Sequence, residues 1–190
     1  RIFKATNSKE NFVFTDAELI SKTIVEGDNE AYGELVKKYQ GPVRALFRKL
    51  TCGDEVLADD LSQETFLKAY KGIKSFHGQS QFLTWLYSIA KNVFFQALRD
   101  NPKTESLSVV EEKDEAGEDF KYDTKMDVAK LLAILDEKER LILSLSYAEG
   151  MSHAEVAEMM DLPVGTVKTV ILRDKGKLQE KLRSSKEKGL

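Results

Sequence analysis

Residues 101–123, NPKTESLSVVEEKDEAGEDFKYD, interrupt a chain that otherwise has the pattern of helices. They open on Asn-Pro, hold 8 acidic against 3 basic groups and show almost no helical periodicity. Such a stretch buries too little apolar surface to fold alone, so it reads as a flexible acidic linker. On both sides apolar residues recur every three or four positions, Gly and Pro are scarce at 11 and 3 among 190 residues, and no strand-like alternation occurs. The expected fold is all-α, with two small helical domains at 15–100 and 124–183, a disordered N-terminus at 1–14 and a basic tail at 184–190.

In the first domain, Thr15 or Asp16 can cap a helix reaching about Glu26, and Asp28 can cap a second that meets Gly41-Pro42. Pro42 lacks an amide donor and disfavours the helical conformation at Gly41, which predicts a kink or restart there. A third helix should run from about Asp54 to Lys74. The fourth, QFLTWLYSIAKNVFFQALRD at 81–100, carries the only Trp. On a wheel of 100° per residue, Phe82, Leu86, Ile89, Val93 and Ala97 form an apolar stripe flanked by Leu83, Ala90 and Phe94. Trp85, Ser88, Asn92, Phe95 and Arg99 fall on a different arc that mixes rings with polar groups. Core packing does not call for that mixture, although Trp85 can instead serve a second packing surface against the neighbouring helices.

After the linker come DVAKLLAIL, EKERLILSLSYAEG, SHAEVAEMM and VGTVKTVILRDKGKLQEKLR, four helical patterns with short turns between them. Ser152 and Glu155 make a capping box, Ala157 is small where a second helix must cross, and Asp161 is a residue type that tolerates a left-handed turn. Pro163 and Gly165-Thr166 then open the next helix, which is the spacing of a helix-turn-helix over 152–173. Val167, Ile171 and Leu178 are placed to pack on Val156 and Met160. Thr166, Thr169, Leu172 and Arg173 point away, flanked by Lys168 and Lys175. Hydroxyls, cations and one aliphatic group suit a major groove, with Arg173 for a guanine edge. The charge agrees: residues 162–190 hold 8 basic and 3 acidic groups inside a chain of net charge -3.

Other chemistries find no support. The single Cys52 excludes an intramolecular disulfide and a multi-cysteine zinc site, and the only histidines, His77 and His153, fall in different domains. No Walker loop or Rossmann glycine fingerprint is present, so the expectation is a non-enzyme with no metal, cofactor or small-molecule substrate. No run of 18 apolar residues occurs, which predicts a cytoplasmic protein with no direct membrane insertion.

The segments DDLSQETFLKAYKGI, FLTWLYSIAKN and MSHAEVAEMMDLPVGTVKTVILRDKGKL resemble the bacterial sigma-70 family, specifically its extracytoplasmic-function group (ECF, group IV). That resemblance implies a region 2 helical bundle followed by a region 4 helix-turn-helix. The implied partners are core RNA polymerase, promoter DNA (duplex at minus-35, single-stranded at minus-10) and an anti-sigma factor. Polymerase docking falls on the helix where Asp60, Gln63, Glu64, Leu67 and Lys71 share a face. Capture of a flipped minus-10 base falls on Asn92, with Ser88, His77 and Gln79 nearby; the wheel adds Trp85, Phe95 and Arg99. The minus-35 residues would be Thr166, Lys168, Thr169, Leu172, Arg173 and Lys175. The chain departs from the usual pattern at Asp161, where glycine is frequent, and at Asp174, where alanine is frequent. The alternative is a stand-alone helix-turn-helix regulator whose N-terminal helices dimerise or bind a ligand.

Overall fold

The computed structural model describes residues 14–100, 128, 129 and 131–188, the last four by backbone alone. The expectations for residues 1–13 and for the linker lie outside the described residues. Helix α1 (Asp16–Ser21) starts at a capping box between Thr15 and Glu18, widens into a π-helical turn at Lys22–Glu26, and stops where Gly27 takes φ 67°. In α2 (Asn29–Leu50) the Asp28 carboxylate accepts from the amides of Glu30 and Ala31. Asp54 caps α3 (Glu55–Gly72), which tightens into a 3-10 turn at Ile73–Ser75. A loop then leads to α4 (Phe82–Asp100).

The restart expected at Pro42 is absent, because α2 passes through it as one helix. Leu35 lies before the proline and Val43, Leu46, Phe47 and Leu50 after it, all fully buried in the same core. Packing on both sides offsets the one missing backbone bond.

α2, α3 and α4 form a bundle with α1 laid along α2. Tyr32 donates its hydroxyl to the Phe66 carbonyl at 2.6 Å, which satisfies a buried polar atom between α2 and α3. On α4, Phe82, Leu86, Ala90, Val93 and Phe94 are buried, whereas Ile89 and Ala97 are only half-buried. Tyr87, outside the apolar stripe, is 2% exposed. The wheel misses it because the second domain covers it.

That domain comprises α5 (Glu137–Leu143) with a π-helical turn at Ser144–Ala148, α6 (His153–Met160) and α7 (Val164–Lys188). Both expected features of the helix-turn-helix are present: the Ser152–Glu155 capping box, and a left-handed turn at Asp161 with φ 54°. Val156, Val167 and Ile171 are buried between α6 and α7. α7 continues to Lys188, so the basic tail runs on as helix through residues 184–188.

The two domains touch. Arg140, 1% exposed, donates to the carbonyls of Leu132 at 3.2 Å and Leu135 at 2.9 Å, and to that of Leu50 at the end of α2. These bonds go to carbonyls, and the terminal ones of a helix carry partial negative charge that takes the place of a counter-ion. Alongside, the Glu149 carboxylate accepts from the Tyr87 hydroxyl and from Lys49 Nζ at 2.9 Å.

Candidate polymerase and nucleic-acid interfaces

The first surface is the outer face of α3. Its inner face buries Ala58, Leu61, Ser62, Thr65, Phe66 and Ala69, so Asp60, Gln63, Glu64, Leu67 and Lys71 are left in solvent. Leu67 is 63% exposed and Val56, four residues before Asp60, is 75% exposed. Val56 escaped the sequence reading although its spacing to Asp60, Gln63 and Leu67 is 4, 3 and 4. Two bare aliphatic groups on one polar face form a surface that a partner protein can dehydrate.

The second surface begins in the loop at 76–80, where His77 and Gln79 are exposed, and continues along α4. Phe82 and Phe76 each pack on Trp85 with ring centroids 5.4 Å apart, and Tyr39 joins through Phe82. Half-buried Trp85 thus belongs to an aromatic cluster at the start of α4, and Ser88 donates back to the Trp85 carbonyl at 2.7 Å. The structure splits the arc there. Asn92, Phe95 and Arg99 line a cleft of about 470 Å³, whereas Trp85 and Ser88 do not. The cleft also contains Lys68, Lys91, Gln96 and Lys138, and its far wall is Met160 and Leu162 of the second domain. Four cations, two amides and a ring, with no carboxylate in the lining, suit a single strand of nucleic acid: cations for phosphate, Phe95 for stacking, Asn92 for a base edge. Lys91 was missed because its role comes from the other domain: Nζ donates to the Met159 carbonyl at 2.8 Å.

The third surface is the outer side of α7. Thr166, Lys168, Thr169, Leu172, Arg173 and Lys175 are all exposed, Leu172 by 75%. The Thr169 hydroxyl donates back to the Gly165 carbonyl at 2.9 Å, which commits its proton within the helix. Arg173 is not free. Its Nε bonds Asp174 Oδ1 at 3.0 Å and its Nη2 bonds Glu139 Oε1. Lys177 joins both acids, at 2.9 Å to Glu139 and 3.1 Å to Asp174. Burial acts to raise the Glu139 pKa, but Lys177, the Asp136 amide and Arg173 outweigh it and hold the carboxyl below its ordinary range.

An all-α fold with a helix-turn-helix, a cationic cleft and a polar helix face bearing two bare aliphatic groups is that of a two-domain DNA-binding protein that works with another protein. Comparison with known proteins agrees. Residues 35–104 match sigma-70 region 2 and residues 125–178 match sigma-70 region 4. The ECF RNA polymerase sigma-E factor of Haemophilus influenzae is 31% identical, the match covering 89% of this chain and 96% of that protein. Its counterpart in Escherichia coli K12 is 32% identical over 89% and 95%. Among solved structures, CnrH in complex with the cytosolic domain of CnrY superposes with a TM-score of 0.64, at 25% identity over 89% of this chain and 97% of that one. The sigma factor RpoE bound to the anti-sigma factor NepR from Bartonella quintana shares the fold, with a TM-score of 0.64 at 24% identity over 80% and 96%. The chain belongs to the extracytoplasmic-function sigma factors of the sigma-70 family.

Proposed function

We propose a division of labour among the three surfaces of this sigma factor, a promoter-specificity subunit from a non-catalytic family. The outer face of α3, centred on Val56 and Leu67, docks on core RNA polymerase. The cleft of Asn92, Phe95 and Arg99 takes the opened minus-10 strand, with His77 and Gln79 at its approach, and α7 reads duplex minus-35 DNA. The observation that carries this reading is the cleft, where an exposed amide lies among cations and beside a ring. Joining two modest DNA contacts through the polymerase raises their effective concentration, so neither has to be strong alone. Met160 and Leu162 wall the cleft in the packed arrangement, so the domains part when the strand enters.

An anti-sigma factor is the further partner in this reading, and the exposed aliphatic groups of α3 offer it a surface. Acting with polymerase supports a cytoplasmic location; no helix among the described residues is long and apolar enough to cross a membrane. The family match sets aside the stand-alone regulator. The test is run-off transcription with core polymerase on a promoter library randomised at both elements. Selection of paired elements over a no-sigma control is the expected result. Transcripts that show no selection would overturn the reading.

A further inference from the structure

We infer that Glu139 and Asp174 are positioning residues for Arg173, holding its guanidinium by one edge so that the opposite edge faces DNA in a fixed orientation. The inference rests on α7 being the helix presented to duplex DNA. A guanidinium offers two forks, one along Nε and Nη2 and one across Nη1 and Nη2. Here the first fork is spent on carboxylates: Nε on Asp174 and Nη2 on Glu139. Nη1 makes no hydrogen bond among the described residues, and half of the Arg173 side chain is exposed. The outer fork is therefore the one available to a base edge or a phosphate.

The anchors are fixed more firmly than the residue they hold. Asp174 is fully buried, and its Oδ1 is held by Lys177 at 3.1 Å as well as by Arg173. Glu139 is tied into the start of α5, where its amide bonds the Asp136 side chain at 2.7 Å and its carboxylate returns to the Asp136 amide at 3.1 Å. One anchor comes from α7 and the other from α5, so the guanidinium is held between two elements. A long arginine side chain normally loses several rotamers when it binds. Here that ordering is already done in the protein, and it favours one geometry of contact over others. Lysine has no planar fork and cannot be held in this way.

Positioning and mere charge neutralisation give different results. The experiment uses the chain assembled with core polymerase on promoters randomised at minus-35, for wild type, Arg173→Ala, Arg173→Lys, Asp174→Asn and Glu139→Gln/Asp174→Asn. One minus-35 position should lose its preference in Arg173→Ala, and a bidentate base contact sets the expected loss at about 5- to 150-fold. Arg173→Lys and the double variant should lose the same preference at that same position, while the salt dependence of binding falls only in Arg173→Ala. If the double variant instead binds every minus-35 sequence more tightly and keeps its preference, the acids only mask charge and the inference is overturned. If Arg173→Ala itself changes no preference, the assignment of Arg173 to a base edge fails first, separately from the role of the acids. Asp174→Asn keeps the size of the buried side chain and leaves Glu139 in place. It carries the test if the double variant does not fold, with a partial loss expected and unchanged selectivity refuting the inference.

Discussion

The contact between Tyr87 and Glu149 should set how far the two domains stay closed. Tyr87 lies on α4 of the first domain, and the Glu149 carboxylate on the second accepts its hydroxyl together with Lys49 Nζ at 2.9 Å. Burial first, and then the hydrogen bond and charge of Glu149, push the Tyr87 phenol well above its ordinary pKa, so it remains a donor wherever the protein is folded. A hydrogen bond to a charged group contributes about 1.5–3 kcal/mol, and the half-exposed Lys49 adds well under 1 kcal/mol after screening. Tyr87→Phe or Glu149→Gln should therefore raise the ratio of open to closed chains by about tenfold or more, since 1.4 kcal/mol is a factor of ten. Both changes weaken the same bond and Glu149→Gln weakens the Lys49 ion pair as well, so the double variant should open little further than Glu149→Gln alone. Dyes on cysteines at the exposed positions Ala45 and Ala154, in a Cys52→Ser background, would report the distance by energy transfer. A single strand carrying the minus-10 sequence should bind the isolated variants in proportion to the open fraction. Unchanged transfer in both single variants, or fully additive effects, would refute the reasoning.

Other surfaces give separate expectations. Asn92→Ala should leave polymerase binding intact and lower minus-10 selectivity by about tenfold, as loss of a base-edge contact does in a pocket for one flipped base; selection from a minus-10 library is the measurement. Val56→Glu and Leu67→Glu should each weaken core polymerase binding by about tenfold while leaving the urea midpoint unchanged, because both side chains are in solvent in the free chain; a lowered midpoint would show that they serve the fold instead. For Glu139 the folded pKa lies below the ordinary 4.5, so its stabilisation is complete above that pH and is lost as pH falls through the folded value. The stability gap between wild type and Glu139→Gln, followed by urea unfolding, should thus narrow between pH 6 and pH 3, and a constant gap would contradict the assigned partners.

What the sequence determined by itself was local. The caps at Thr15, Asp28 and Ser152, the αL turn at Asp161 and the outer face of α3 depend on residues within one or two turns, so spacing and residue type reveal them. The exposed face of α7 was legible for the same reason. The tertiary structure decided whatever depends on partners far along the chain. Pro42 stays helical because residues on both sides share one core, and Tyr87 and Arg140 are buried because the domains meet over them. The aromatic arc of α4 divides because Phe76 takes Trp85 while Met160 and Leu162 close a cleft around Asn92. Arg173 reads in the sequence as a free cation on a basic helix. Only the fold brings Glu139, 34 residues earlier, against its guanidinium, because a helix wheel orders neighbours on one helix and cannot see a carboxylate arriving from another.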